Sequence, residues 1–191
     1  QMLGYDEHVI YGMCGVSNEC AIRLMYNGIF DYIDRGYKIL LTFGVTSAWR
    51  TELFDVPTNN YIGFIYGNEE YFTINPELVP LETKRFVHSY KVRTSDVDAM
   101  RTKQSAMLLG LHSFLTVNKI EHVFFKIFNP YYPKTVADRI PDRNYIWRQE
   151  LPLNEQLTDD LRAAGLHPNI KGHTFLAEKL HKHLTEGNYD I

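Results

Sequence analysis

Two short apolar runs limit most strongly what this chain can fold into. Tyr37–Phe43 contains Ile39, Leu40 and Leu41 in succession, and Val123–Phe128 contains Val123, Phe124, Phe125 and Ile127. Both are of strand length and apolar on successive residues, so both faces must be covered. Such runs suit strands of a buried parallel sheet. A helical pattern precedes each. Ile22, Met25, Ile29 and Ile33 recur at three-to-four spacing before the first, and Val97, Met100, Met107, Leu108, Leu111 and Leu115 before the second. His8–Cys14 reads as a further strand ending at Gly15, with Ser17 capping the helix that follows and Gly36 ending it. Alternation of strand and helix implies right-handed crossovers and an α/β, doubly wound parallel sheet.

The rest of the chain fits around that frame as one domain over 1–191, with insertions at about 54–90 and 129–152. The first insertion holds Pro57, Asn59, Asn60, Gly63, Gly67, Pro76 and Pro80, and reads as a long loop with one hairpin. Thr94 or Ser95 is expected to open the next helix. The second insertion carries Pro130, Pro133, Pro141 and Pro152. A short helix near Glu155–Ala164 is expected after it. A last helix over about Lys171–Thr185 should bury Phe175, Leu176, Leu180 and Leu184, with Gly187 as its stop.

Charge and cysteine content narrow the function classes. The net charge is −3, with both signs scattered, which argues against a nucleic-acid surface. No apolar run approaches the roughly 20 residues that span a bilayer. Cys14 and Cys20 are the only cysteines and read as reduced thiols in a cytoplasmic setting. Two cysteines without a matched His or Cys cluster imply no metal. The chain begins at Gln1 with no signal-like segment, and is expected to be a processed or truncated product.

Ligands of parallel α/β sheets bind at the carboxyl ends of the strands. Three segments fall there. Gly15-Val16-Ser17-Asn18 joins a strand to a helix, where free backbone N–H groups suit an oxyanion; the same residues also make a plain turn and cap. Gly44-Val45-Thr46-Ser47 follows a buried strand and leads to Arg50 and Glu52, either site residues or a surface ion pair. His167-Pro168-Asn169 precedes the last helix. The proline holds His167 extended, where an imidazole can act as general base.

These three segments, in this order, resemble the SGNH/GDSL hydrolases, and among them a group from tailed bacteriophages. Leu3-Gly4-Tyr5-Asp6 with Gly15-x-Ser17-Asn18 is similar to the family's second block, whose glycine N–H serves the oxyanion hole. Gly44-Val45-Thr46 stands at the third block, with Thr46 where Asn is usual; Thr46, Arg50 and Glu52 match the phage-like group. His167-Pro168-Asn169 with Gly172-His173 is similar to the last block, whose first histidine is the base. The acid usually three residues before it falls on Ala164. No segment before Leu3 matches the block carrying the nucleophilic serine, unless Gly15-Val16-Ser17 is a degenerate form and Ser17 the nucleophile. The resemblance implies a three-layer α/β/α sandwich with a central parallel sheet (SGNH/flavodoxin-like) and an esterase or acetylesterase, or an impaired descendant. His167, with Ser17 under the rival alignment, would be catalytic; Gly15, Asn18, Gly44, Thr46 and Arg50 would bind the oxyanion or substrate. It implies no cofactor, and an ester or acetylated glycan as substrate. A binding or virion structural protein with a protein partner, or a transferase, would use the same fold. The phage likeness would place the protein in a host cytoplasm or a virion.

Overall fold

Helix α1 (Asn18–Asp34) starts where its free N–H groups find an acceptor. Ser17, extended at φ −80° and ψ 165°, takes the Cys20 N–H on its Oγ at 3.1 Å. Ile22, Met25 and Ile29 form the buried face, and Gly36, at φ +73°, follows the helix end. The computed structural model describes residues 7, 9–10, 17–57, 59–66, 77, 79–127, 139–146, 152–163 and 168–186. After α1 come β1 (Leu40–Val45), β2 (Arg50–Asp55), β3 (Asn60–Ile65), α2 (Leu81–Thr94), α3 (Val97–Val117), β4 (Glu121–Lys126) and β5 (Tyr145–Ile146). A single turn α4 (Leu153–Gln156), a 3-10 turn (Asp159–Leu161) and α5 (Ile170–Glu186) complete the order. No helix among the described residues is long and apolar enough to cross a membrane.

The expected parallel pair is present. β1 and β4 run parallel from Leu40↔Glu121 to Val45↔Lys126, and β5 pairs parallel with β4, giving the order β1-β4-β5. Successive residues of a strand point to opposite faces, and both faces here are apolar. Phe43, Val45 and Phe124 pack with α1 and α3 residues, while Val123 packs with Leu184 of α5, flanked by Leu40, Phe125 and Leu180. Phe124 is 0% exposed, and full burial of such a ring contributes about 2–3 kcal/mol. The strand expected over His8–Cys14 lies largely outside the described residues.

The segment expected to be an insertion from residue 54 differs in two respects. Pairing starts earlier, because β2 and β3 form an antiparallel hairpin from Arg50↔Ile65 to Asp55↔Asn60. It also contains a helix, α2, that its sequence hides: the buried positions Thr83, Val87 and Lys91 are four apart but two are polar, so no apolar stripe shows. Ile62, Phe64, Tyr66, Val79, Val87 and Met100 form a second apolar cluster. Ser95 terminates α2, and Asp96 rather than Thr94 or Ser95 caps α3, accepting the Ala99 N–H at 2.6 Å. The helix expected near Glu155–Ala164 is instead α4 and a separate 3-10 turn.

Asn169 sets the start of α5. Its Oδ1 accepts the Gly172 N–H at 3.0 Å, while its Nδ2 donates to the carbonyls of Asp160 and Arg162 at 2.8 and 3.1 Å. Gly172 lets the Leu161 carbonyl sit against the helix; a Cβ would overlap that oxygen and lie 3.1 Å from Pro168 Cβ. Gly110, in α3, has open space at the same position. The two glycines should therefore respond oppositely to alanine. Gly110→Ala should stabilise by about 0.5–1 kcal/mol through helix propensity. Gly172→Ala should destabilise by about 1–3 kcal/mol through the backbone collision. Urea denaturation of both variants measures the contrast.

Candidate functional site

The end of β1 and the start of α1 are joined by one side chain. Asn18, 3% exposed, donates from Nδ2 to the Thr46 carbonyl at 3.1 Å and accepts the Thr46 N–H on Oδ1 at 2.9 Å. A carboxamide carries donor and acceptor side by side and so matches both backbone groups of one residue. The pairing spans 28 residues and closes the carboxyl end of β1 onto the first turn of α1. A helix N-terminus at a strand's carboxyl end favours negative charge.

Glu19 extends the junction. Its Oε2 accepts the Thr51 hydroxyl at 2.5 Å and the Glu52 N–H at 3.0 Å, and its Oε1 faces the Lys103 ammonium of α3 as a charge–charge contact. One turn on, Arg23 holds Glu52 with Nε and Nη2, each at 2.9 Å, and lies 3.6 Å above the Tyr61 ring. This paired geometry is the strong form of the ion pair. Arg23 also donates to Cys20 Sγ at 3.5 Å. Burial, and then the Glu52 carboxylate beside it, push the Cys20 thiol up to about 11. At neutral pH it is a protonated thiol, not a nucleophile.

The junction adjoins α3 where it passes from one of the larger apolar clusters to the other. Met100 belongs to the hairpin cluster and Leu108 to the sheet cluster, and Gln104 stands midway on the same face of α3. Buried polar atoms collect here and on the loop after β1. Thr46 Oγ1, Gln104 Oε1 and Ser105 Oγ have no hydrogen-bond partner among the described residues, in residues 7%, 3% and 2% exposed. Such atoms demand an explanation, water or ligand.

The residues singled out from the sequence separate as follows. Ser17, Asn18 and Thr46 come together. Ser17 is 3% exposed with its Oγ committed to the helix cap. Gly44 has a packing role, since a Cβ there would overlap the Ile127 side chain and come within 3.2 Å of Phe125. Arg50 begins β2, its N–H donating to Ser47 O at 3.2 Å, and Glu52 is held by Arg23 rather than by Arg50. Gly15 and His167 lie outside the described residues. Glu19, Arg23, Lys103 and Gln104 went unrecognised in the sequence. The i, i+4 spacing of Glu19 and Arg23 is the one trace they leave, and their partners on β2 and α3 are distant in sequence. Among the described residues no three His, Cys, Asp or Glu side chains converge as a metal site.

Leu184 of α5 packs with Val123 of β4, and Leu40, Phe125 and Leu180 lie against the same pair.

Replacing Asn18 tests the junction. Asn18→Ala leaves both Thr46 groups unanswered and should cost about 2–4 kcal/mol. Asn18→Asp keeps the acceptor but sets a carboxylate against the Thr46 carbonyl. Its deficit relative to the native protein should shrink as pH falls and the acid becomes a donor. Urea denaturation at pH 7 and pH 4.5 reads both effects.

No protein-family model matches this chain, and no curated protein or solved structure matches it.

Proposed function

We propose that this chain is an SGNH-type scaffold, a three-layer α/β/α sandwich, that holds an ester or acetylated-glycan acyl group at the carboxyl end of β1. The observation that carries the reading is the Asn18–Thr46 pair. Residues that the family resemblance assigns to its second and third blocks, 28 apart in sequence, meet through two hydrogen bonds. The α1 N-terminus then supplies positive potential where an oxyanion would develop. The unpartnered Thr46 hydroxyl supplies a donor. In this reading His167 is the base, at a position whose following residues are fixed by the Asn169 clamp.

Ser17 is a cap in this reading, not the nucleophile. Its hydroxyl oxygen is occupied by the Cys20 N–H, and the residue is 3% exposed. A serine nucleophile needs its oxygen free beside a base. Residues 1–191 should therefore hydrolyse simple esters slowly or not at all, as an impaired descendant of an esterase would.

The test combines labelling with binding. A fluorophosphonate probe, followed by intact-mass analysis, should leave Ser17 unmodified. Ser17→Ala should lose about 1 kcal/mol of stability through the lost cap, with p-nitrophenyl acetate turnover unchanged. An adduct mapped to Ser17, with turnover abolished in Ser17→Ala, would make Ser17 the nucleophile and defeat this reading. Titration with an acetylated monosaccharide should shift the amide resonances of Asn18–Cys20 and Val45–Ser47 first. Shifts confined to the amino ends of β1 and β4 would refute the proposed binding site.

A further inference from the structure

At the amino end of β4, away from the junction, two histidines meet. His122 is 3% exposed on β4, on the face that also carries Phe124, and half-buried His112 reaches it from α3. His112 Nδ1 and His122 Nε2 are 2.8 Å apart, and His122 Nδ1 is 2.8 Å from the Ile120 carbonyl oxygen. A carbonyl oxygen only accepts, so His122 Nδ1 carries a proton. In the neutral ring Nε2 is then a lone pair, so the proton between the rings is donated by His112 Nδ1. The remaining nitrogen, His112 Nε2, is a lone pair too. Among the described residues no group bonds it, and His112 is half-buried, so it is the nitrogen open to a further proton. The neutral pair has one tautomer assignment that satisfies every contact.

The first proton from solvent goes to His112 Nε2 and preserves both hydrogen bonds. A second would put two N–H groups and two positive charges face to face, which the 2.8 Å contact cannot hold. Burial lowers the proton affinity of both rings, and a charge on His112 lowers that of His122 further. The Ile120 carbonyl acts in the other direction. Of the described charged groups acting on His122, Glu121 beside it on β4 favours protonation and Arg143, before β5, opposes it. Those two are paired with each other at 3.1 Å, and no charge on α3 acts on His112.

We infer that His112 and His122 form an acid-sensitive latch between α3 and β4, closed when the pair holds no proton or one beyond neutrality, and opened by the second. The sign of the pH dependence follows. Both folded-state values lie below the unfolded value of about 6.5, so the pair's stabilisation is full above that pH and declines as pH falls below it, the latch itself opening only as the second, lower value is passed. The folded-to-unfolded ratio drops tenfold per pH unit for each extra proton bound by the unfolded chain.

Long-range nitrogen–proton correlation spectra of the full chain at pH 8 should show both rings protonated at Nδ1. His112 protonated at Nε2 instead would overturn the assignment. On acidification the first proton should appear at His112 Nε2 with amide protection of α3 and β4 intact, and the second together with loss of that protection. A second proton taken up with protection retained would overturn the latch. His112→Asn keeps a donor for His122 but removes one titrating ring. In urea denaturation between pH 7.5 and 5, its fall in the folded ratio should be up to tenfold per pH unit shallower than in the native chain. An unchanged slope would also overturn the inference. Should the variant fail to fold, the spectra of the native chain decide alone.

Discussion

The carboxamide of Asn18 is the point on which the rest of the molecule turns. It answers the N–H and the C=O of Thr46 together, at the place where β1 has lost its ladder partner and α1 has not yet begun its own hydrogen bonds. Backbone groups in both situations are costly to bury unpaired. With Thr46 fixed, the chain can turn through Ser47 into β2, and the hairpin is laid beside α1. Glu19 and Arg23 then find Thr51 and Glu52 within reach. Each later contact at the junction depends on that first one.

Among the described residues, the two larger apolar clusters have a polar layer between them. The sheet cluster is made by α1, α3 and the parallel strands; the hairpin cluster by β3, α2 and the start of α3. α3 belongs to both. Its 21 residues carry Met100 into one and Leu108 into the other, with Gln104 and Ser105 buried between. An apolar layer in their place would merge the clusters into one core. The polar layer leaves Gln104 Oε1 and Ser105 Oγ without hydrogen-bond partners among the described residues.

Pro168, Asn169, Gly172 and His173, the most distinctive stretch of the sequence, also have a mechanical reading. Asn169 caps α5 and grips two carbonyls of the preceding turn; Gly172 admits the Leu161 carbonyl. The spacing of asparagine and glycine is what a helix start clamped against a loop requires.

The sequence by itself determined the helices with strong apolar periodicity, the Ser17 cap, and the parallel pairing of two runs that had to be covered on both faces. These follow from local rules: spacing, capping and the need to bury successive apolar residues. It did not reveal α2, whose buried face is half polar, or β2, whose residues Arg50, Thr51 and Glu52 look like surface. The tertiary structure alone decided those, because Glu19, Lys91 and Thr51 are buried only where distant segments supply their partners. The same holds for the pairing of Asn18 with Thr46 and of His112 with His122. Side-chain hydrogen bonds across 28 and 10 residues have no period to read, and they exist only once the helices have docked on the sheet.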